Sequence, residues 1–279
     1  MRIIFLLKKI KNIIFKPQKV YSKIKEILNL VSDKRLRKII KIKDRQSNKI
    51  IKIYDFGSIT RYRATTFFDK EPETIRWINS FKQGEIFLDV GANIGIYSLY
   101  AGSKGITTIA VEPDALNNAL LNLNINLNLL SKKILAFSLA FHEEQKYSTL
   151  NIKKIQWGGA LNSFDNCKDY LNKTYIPSHK QGVFGDTIDN FLNKLEKKIN
   201  HIKIDVDGNE YFVLRGAKNA LDSKFLKTIL IELNTNHPDY KRSIDLIVSM
   251  GFVLSNKFNL DRDKKNNLIT TFNHIFIKN

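Results

Sequence analysis

Phe87-Leu88-Asp89-Val90-Gly91-Ala92-Asn93-Ile94-Gly95-Ile96-Tyr97-Ser98 reads as a strand that runs into a glycine turn and out into a helix. Gly91 and Gly95 let the backbone turn sharply and approach a ligand, and the following helix presents its free N–H groups. About twenty residues beyond Gly91, the strand Ile109-Ala110-Val111 ends in Glu112-Pro113. A carboxylate there is placed to accept both hydroxyls of a nucleoside ribose, across the point where the strand order of such a sheet reverses. Strand, turn, helix and acid together specify a nucleoside cofactor. The glycines follow a Gly-x-x-x-Gly spacing, which is neither the tighter dinucleotide fingerprint nor a lysine-bearing phosphate loop. Asp89 would repel a diphosphate at the start of the turn, but it can hold an ammonium directly or through water. An ammonium, a ribose and an adenine meet in S-adenosylmethionine. Asp89, Gly91, Asn93, Gly95, Glu112 and Pro113 are therefore the cofactor-binding candidates.

Outward from this stretch, apolar bursts alternate with helical segments. The bursts are Ile86 to Val90, Thr107 to Val111, Ile134 to Leu139, Ile202 to Val206 and Thr228 to Leu233. Between them run helical stretches such as Ala115 to Leu130, Thr187 to Leu195 and Val213 to Leu221. Short, two-sided apolar strands separated by helices predict an α/β fold with a parallel sheet covered on both faces. The end departs from this rhythm, because Phe252 to Phe258 and Leu268 to Ile277 read as a β-hairpin joined by the polar loop Asn259 to Asn267. Upstream, Ile50 to Tyr54 reads as a strand and Glu71 to Ile78 as a short helix with Pro72 in its first turn.

Four pieces of the chain resemble the FkbM family of S-adenosylmethionine-dependent methyltransferases. They are Phe87 to Ser98; Val111-Glu112-Pro113; His201-Ile202-Lys203-Ile204-Asp205-Val206-Asp207-Gly208-Asn209-Glu210 with Leu214-Arg215-Gly216-Ala217; and Ile229 to Asn234. The motif core covers roughly residues 85–235. The resemblance implies a Rossmann-like seven-stranded class I methyltransferase sheet with a C-terminal β-hairpin, and the residues of 252–277 read the same way independently. It also implies methyl transfer to a hydroxyl of a sugar, other glycan or related small-molecule acceptor. The family more often has Glu where this chain has Asp207.

Methyl transfer needs an acceptor oxygen held in line with the methyl and a group that takes the hydroxyl proton. Open α/β sheets bind ligands at the carboxyl ends of their strands, so Asp205, Asp207 and Glu210, at and beyond the end of the strand Ile202 to Val206, are the candidate catalytic residues. The other role open to one of them is to cap the helix that begins near Asn209. Asp205 with Glu232 and Asn234 also offers oxygen ligands of the kind magnesium prefers, an arrangement weighed against a site with no metal. His142 follows the third sheet strand and is placed to face adenine or acceptor, His201 reads as a solvated turn residue, and His237 lies near an active-site loop. His179 and His274 carry no signal. Trp157 to Ser163 reads either as an acceptor-facing loop, with Trp157 against a sugar face, or as a plain hairpin turn. Arg61, Arg63 and Lys70 to Glu73 either close over the site or form a solvated helix start.

The chain has 279 residues, 43% of them hydrophobic, which excludes a disordered protein. The lone Cys167 excludes an internal disulfide and a cysteine-rich zinc site. Lys and Arg number 46 against 27 Asp and Glu, a net charge of +19, and residues 1–50 hold 16 of the basic residues against three acids. Residues 1–45 read as a basic helical extension, leaving 46–279 as the methyltransferase domain. Two origins fit the charge. One is a composition rich in Lys, Asn and Ile throughout, of which Asn117 to Asn128 is an example. The other is an anionic membrane surface met by Ile3, Phe5, Leu6, Ile10, Ile13 and Ile14 with lysines between them. No stretch reaches the roughly 18 apolar residues of a membrane span, and Ile3 to Leu7 is too short for a secretory signal, so the expectation is a cytoplasmic protein, peripheral at the inner membrane face. A nucleic-acid methyltransferase is the second reading, disfavoured because aromatics are not interleaved with the basic run. A cofactor-binding protein without turnover is the third. The sequence carries no signal for oligomeric state.

Overall fold

The computed structural model describes residues 38–44, 47–259 and 270–279. Residues 1–37, most of the expected extension, and 260–269, most of the expected polar loop, lie outside it. The described chain opens on two antiparallel strands, β1 (Ile39–Lys43) and β2 (Ile50–Tyr54). The helical reading of 1–45 therefore fails at its end. Ile39-Ile40-Lys41-Ile42-Lys43 alternates with period two, and its buried face pairs with that of Ile50 to Tyr54. Ile42, Ile51 and Ile53 are buried in the domain core, so the ribbon packs as part of the domain.

Three short helices follow, α1 (Ser58–Thr65), α2 (Phe67–Lys70) and α3 (Pro72–Asn79), the last with its proline in the first turn. Next come β3 (Ile86–Val90), α4 (Ile96–Ser103), β4 (Thr107–Val111), α5 (Ala115–Leu127) and β5 (Ile134–Phe137). Four strands intervene: β6 (Ala140–Phe141), β7 (Lys146–Ile152), β8 (Ser163–Phe164) and β9 (His179–Asp186). They pair among themselves in the order β6-β9-β7-β8, a second sheet that nothing in the sequence reading anticipates. The alternation resumes with α6 (Ile188–Lys194), β10 (His201–Ile204), α7 (Glu210–Arg215), α8 (Lys218–Asp222), β11 (Thr228–Asn234) and α9 (Tyr240–Ser249), and it closes on β12 (Phe252–Asn259) and β13 (Thr271–Lys278).

The main sheet has seven strands in the order β5-β4-β3-β10-β11-β13-β12, and β13 alone runs against the rest. Successive residues of β3 point to opposite faces, and both faces are covered. Phe87 packs with Tyr100, Leu99 and Ile78 on one side, while Leu88 packs with Ile202, Phe191 and Leu214 on the other. The strand order reverses on either side of β3, between β4 and β10, and the carboxyl ends of these strands open onto a single cavity. No helix among the described residues is long and apolar enough to cross a membrane.

The asparagines of α5 are more than a compositional habit. Asn124 Oδ1 accepts from Tyr54 N at 3.0 Å and its Nδ2 donates to Ile94 O at 3.0 Å, while Asn128 exchanges two bonds with the backbone of Lys52. Asn118 Nδ2 donates to Glu112 O and Phe137 O, each at 3.1 Å. Amides thus fasten the β1–β2 ribbon and two strand ends to one helix.

Candidate active site

The cavity encloses about 460 Å3 and is walled by the ends of β3, β4 and β10, by α1 and α2, and by the second sheet. Gly91, Ala92, Asn93 and Ile94 bring the glycine turn to its wall. Gly91 has φ +79, and a Cβ built on it would lie 1.9 Å from the carbonyl oxygen of Asp205, so only glycine fits between β3 and β10 here. Gly95, at φ +88, is the left-handed residue that starts α4; it packs against Leu121 and stays off the cavity wall.

Glu112 does line the cavity. Its Oε2 accepts from Asn93 N at 2.8 Å and its Oε1 from Asp114 N at 2.9 Å, which ties the glycine turn to the end of β4. Burial pushes its carboxyl up to about 8 against those two bonds. Pro113, Val111, Leu139, Phe141, Leu150 and Phe164 make an apolar wall beside it. Asp89 is 1% exposed and lies beneath the turn instead of facing the cavity. Its Oδ2 accepts from Ser98 Oγ at 2.5 Å, its Oδ1 has no hydrogen-bond partner among the described residues, and burial raises its carboxyl. Direct contact between Asp89 and a bound ammonium is thereby corrected to support from below.

Residues 158–162 cross over the cavity as a strap. Gly159 O accepts from Asn93 Nδ2 at 2.6 Å and Asn117 Nδ2 at 3.0 Å, and Gly158 O accepts from Arg63 Nε at 2.8 Å. Asn162 Nδ2 donates to Asp114 Oδ2 at 3.0 Å, and Leu161 N donates to Asp207 Oδ2 at 2.6 Å. The expected cavity-facing loop is real, but Trp157 is not its contact residue; its ring packs on Phe56 at 4.6 Å.

On the β10 side of the turn the wall carries Glu71, Asp205, Asp207 and Glu232 with Arg63, Lys70 and Lys203. Lys203 is 1% exposed in mid-sheet, with its Nζ 2.7 Å from Asp205 Oδ2. Burial disfavours its charge, yet Asp205, Glu71 and Asp89 around it hold it above the ordinary lysine range. Burial likewise works against ionised Asp205, but Lys203, then Lys70 and Arg63, keep this carboxylate below its usual range. Burial and the Asp205 carboxylate push Asp207 up to about 6 and raise Glu232 well above the usual range. The site thus holds one carboxylate fixed as an anion beside two that bind protons readily.

Glu210 does not line this cavity. Its Oε1 accepts from Gly208 N at 3.0 Å and Val206 N at 3.2 Å, and burial pushes it up to about 7. It clamps the loop that carries Asp205 and Asp207 from the first position of α7, and that helix has no side-chain cap, so neither the capping role nor a place on the cavity wall falls to Glu210. Asn234 also turns to structure, accepting from Asn236 N and donating to Thr271 Oγ1. No three His, Cys, Asp or Glu residues gather into a metal-holding group among the described residues. His201 is buried, not solvated, held between Glu85 at 2.8 Å and Thr228 at 2.7 Å and stacked on Phe81. His142 stacks on Phe212, and His237 accepts from Asp239 N; neither faces the cavity. Of the residues before the domain core, Arg63, Lys70 and Glu71 reach the wall, whereas Arg61 pairs with Asp55 at 2.6 Å. Lys203 and Asn117 escaped the sequence reading. The signal for Lys203 is a lysine inside Ile202-Lys203-Ile204, where a strand buried on both faces admits only apolar residues or a paired charge.

The profile of the FkbM methyltransferase domain matches residues 89–254, more than half of the chain. The chain belongs to the FkbM methyltransferase family. No curated protein matches it. A precorrin-6y C5,15-methyltransferase from Geobacter metallireducens superposes with a TM-score of 0.46 at 9% identity, over 75% of this chain and 87% of that one. A putative transferase from Pyrococcus horikoshii gives 0.47 at 13%, over 86% and 72%. TrmK of M. capricolum, solved with S-adenosylhomocysteine, gives 0.43 at 12%, over 74% and 68%.

S-adenosylmethionine is the cofactor of this FkbM methyltransferase, and the residues present fit it. Glu112 brings a carboxyl group with lone pairs to spare for ribose hydroxyls, the apolar wall suits an adenine ring, and the unpartnered Asp89 oxygen lies under the turn. The second sheet supports this end through Gln181, whose Nε2 donates to Pro113 O at 2.7 Å and whose Oε1 accepts from Ala115 N at 3.0 Å. Gln181→Ala is expected to weaken calorimetric binding of S-adenosylmethionine and S-adenosylhomocysteine alike by about tenfold. Unchanged affinity would remove Gln181 from the machinery.

Proposed function

We propose that this methyltransferase alkylates a hydroxyl of a sugar or related small-molecule acceptor. The observation that carries the reading is the pairing, on the wall opposite Glu112, of Asp205 fixed as an anion with the readily protonated Asp207 and Glu232. Clustered carboxyl groups of this kind bind hydroxyl-rich molecules by accepting their hydrogen bonds. S-adenosylmethionine, when bound, supplies an electrophilic methyl group. Asp205 accepts a hydrogen bond from the acceptor and orients it, while Lys203 neutralises the charge that this requires. Asp207 takes the hydroxyl proton on Oδ1, because its Oδ2 is engaged by Leu161 N. The strap keeps water away from the acceptor oxygen. A nucleic-acid acceptor fits the wall less well, since four carboxyl groups there face three basic side chains where phosphates would have to pass.

The test is transfer of labelled methyl from S-adenosylmethionine to a panel of free and nucleotide-linked sugars, with transfer RNA as the rival acceptor. Label is expected in the sugars. Asp207→Asn should then lower kcat about a hundredfold or more and leave cofactor affinity within about threefold. Label in RNA alone would end this reading.

A further inference from the structure

The β1–β2 ribbon has one face in the core and one in solvent. Ile42, Ile51 and Ile53 fill the inner face. The outer face presents Ile39, Lys41, Lys43, Ile50 and Lys52, all exposed, with Ile39 at 40% and Ile50 at 51%. The register sets Lys41 directly opposite Lys52 and Lys43 opposite Ile50. Like charges opposite each other on one strand pair repel, and among the described residues none of these three lysines forms an ion pair. Among the described residues of the two strands, no acid stands on this face to relieve the repulsion. The chain that leads into the ribbon, residues 1–37, carries eleven Lys and Arg against Glu26 and Asp33.

We propose that the outer face of the β1–β2 ribbon docks on a lipid surface rich in anionic headgroups, continuing the basic run that precedes it. Charge complementarity selects an anionic partner, and the aliphatic side chains at the two ends of the lysine group select a bilayer. Ile39 and Ile50 gain by entering the boundary between headgroups and acyl chains, and they gain nothing on a phosphate backbone. Binding of single-stranded nucleic acid would instead use exposed stacking rings between the lysines, whereas the ring this face carries, Tyr54 opposite Ile39, is half-buried, packs against the core and meets Phe56 edge-on. Docking adds a surface to the contact expected of residues 1–45 and is independent of which acceptor is methylated.

The experiment is co-sedimentation of the full-length chain with vesicles of phosphatidylglycerol and phosphatidylcholine, compared with phosphatidylcholine alone. Lys41→Gln, Lys43→Gln and Lys52→Gln are combined in one variant. Wild type is expected to prefer the anionic vesicles and to lose them as salt rises. Each lysine near an anionic leaflet contributes about fivefold, so the triple variant should bind them about a hundredfold more weakly. Its melting temperature should hold or rise, because an unfavourable charge pair is removed. Ile39→Ser with Ile50→Ser should lower binding about tenfold and leave the salt dependence as it was. Equal binding of wild type and the lysine variant overturns the proposal, as does equal binding to both kinds of vesicle. Transfer RNA that binds the ribbon lysines more tightly than the vesicles do overturns it in favour of nucleic acid.

Discussion

Gly91→Ala is expected to melt about 10 °C below wild type and to lose cofactor binding with its fold. Two costs add at this position. The left-handed φ of +79 disfavours any side chain, and the new methyl must displace the Asp205 carbonyl, which would lie 1.9 Å away. A backbone carbonyl at the junction of two central strands cannot swing aside as the end of a long side chain does. Strain and overpacking together cost about 4 kcal/mol, and in a domain of this size each kcal/mol moves the melting temperature by about 2–4 °C. Differential scanning calorimetry checks this, and a melt within about 2 °C of wild type would show that β3 and β10 are not locked together here.

Glu112→Ala is expected to weaken S-adenosylmethionine binding about a hundredfold or more, since it removes the buried carboxyl group offered to the ribose hydroxyls and leaves Asn93 N and Asp114 N without their partner. Isothermal titration calorimetry measures it, and affinity retained within about threefold would dismiss Glu112 as the ribose acceptor. The same residue makes stability depend on pH. Its folded carboxyl titrates at about 8, far above the ordinary glutamate value, so the folded chain keeps a proton that the unfolded chain has released. Stability contributed by this group is complete below the unfolded value and is lost as pH rises toward 8. Asp207 at about 6 and Glu210 at about 7 act in the same direction. Below about pH 6.5 the buried His142, His201 and His274 and the half-buried His237, held below their ordinary value by burial, act in the opposite sense, so the fall in melting temperature is expected from about pH 6.5 to pH 8 in the absence of cofactor, and Glu112→Gln should flatten it. An identical slope in the variant would contradict the buried, protonated state.

The fold was largely legible because its deciding features are local. The strand from Phe87 to Val90, the turn at Gly91 and the acid at Glu112 are fixed by neighbours in sequence. The covered sheet follows from apolar runs whose period is plain. The second sheet was opaque for the opposite reason. Its strands β6 and β8 are two residues long, and β7 and β9 mix lysine, serine, glutamine and glycine, so their pairing is set by tertiary contact. The site divides in the same way. Gly91, Asn93, Glu112 and Pro113 sit where the motif puts them, and Asp205 and Asp207 reach the wall together. Asp89 and Glu210 fall behind it, because a carboxylate can serve a loop by accepting backbone N–H groups as readily as it serves a ligand. Lys203 lay within a quoted motif, but its meaning depends on Asp89, Asp205 and Glu71, which approach it only after folding.

The second sheet shares no strand with the first, entering between β5 and α6 and leaving the seven-stranded ladder unbroken. The reaction chamber is thus walled by two separately paired ladders, and the smaller one reaches the methyl-donor end as well, through Phe141, Leu150, Phe164 and Gln181. A shift of that ladder as a unit would move the strap, the apolar wall and the Pro113 support together.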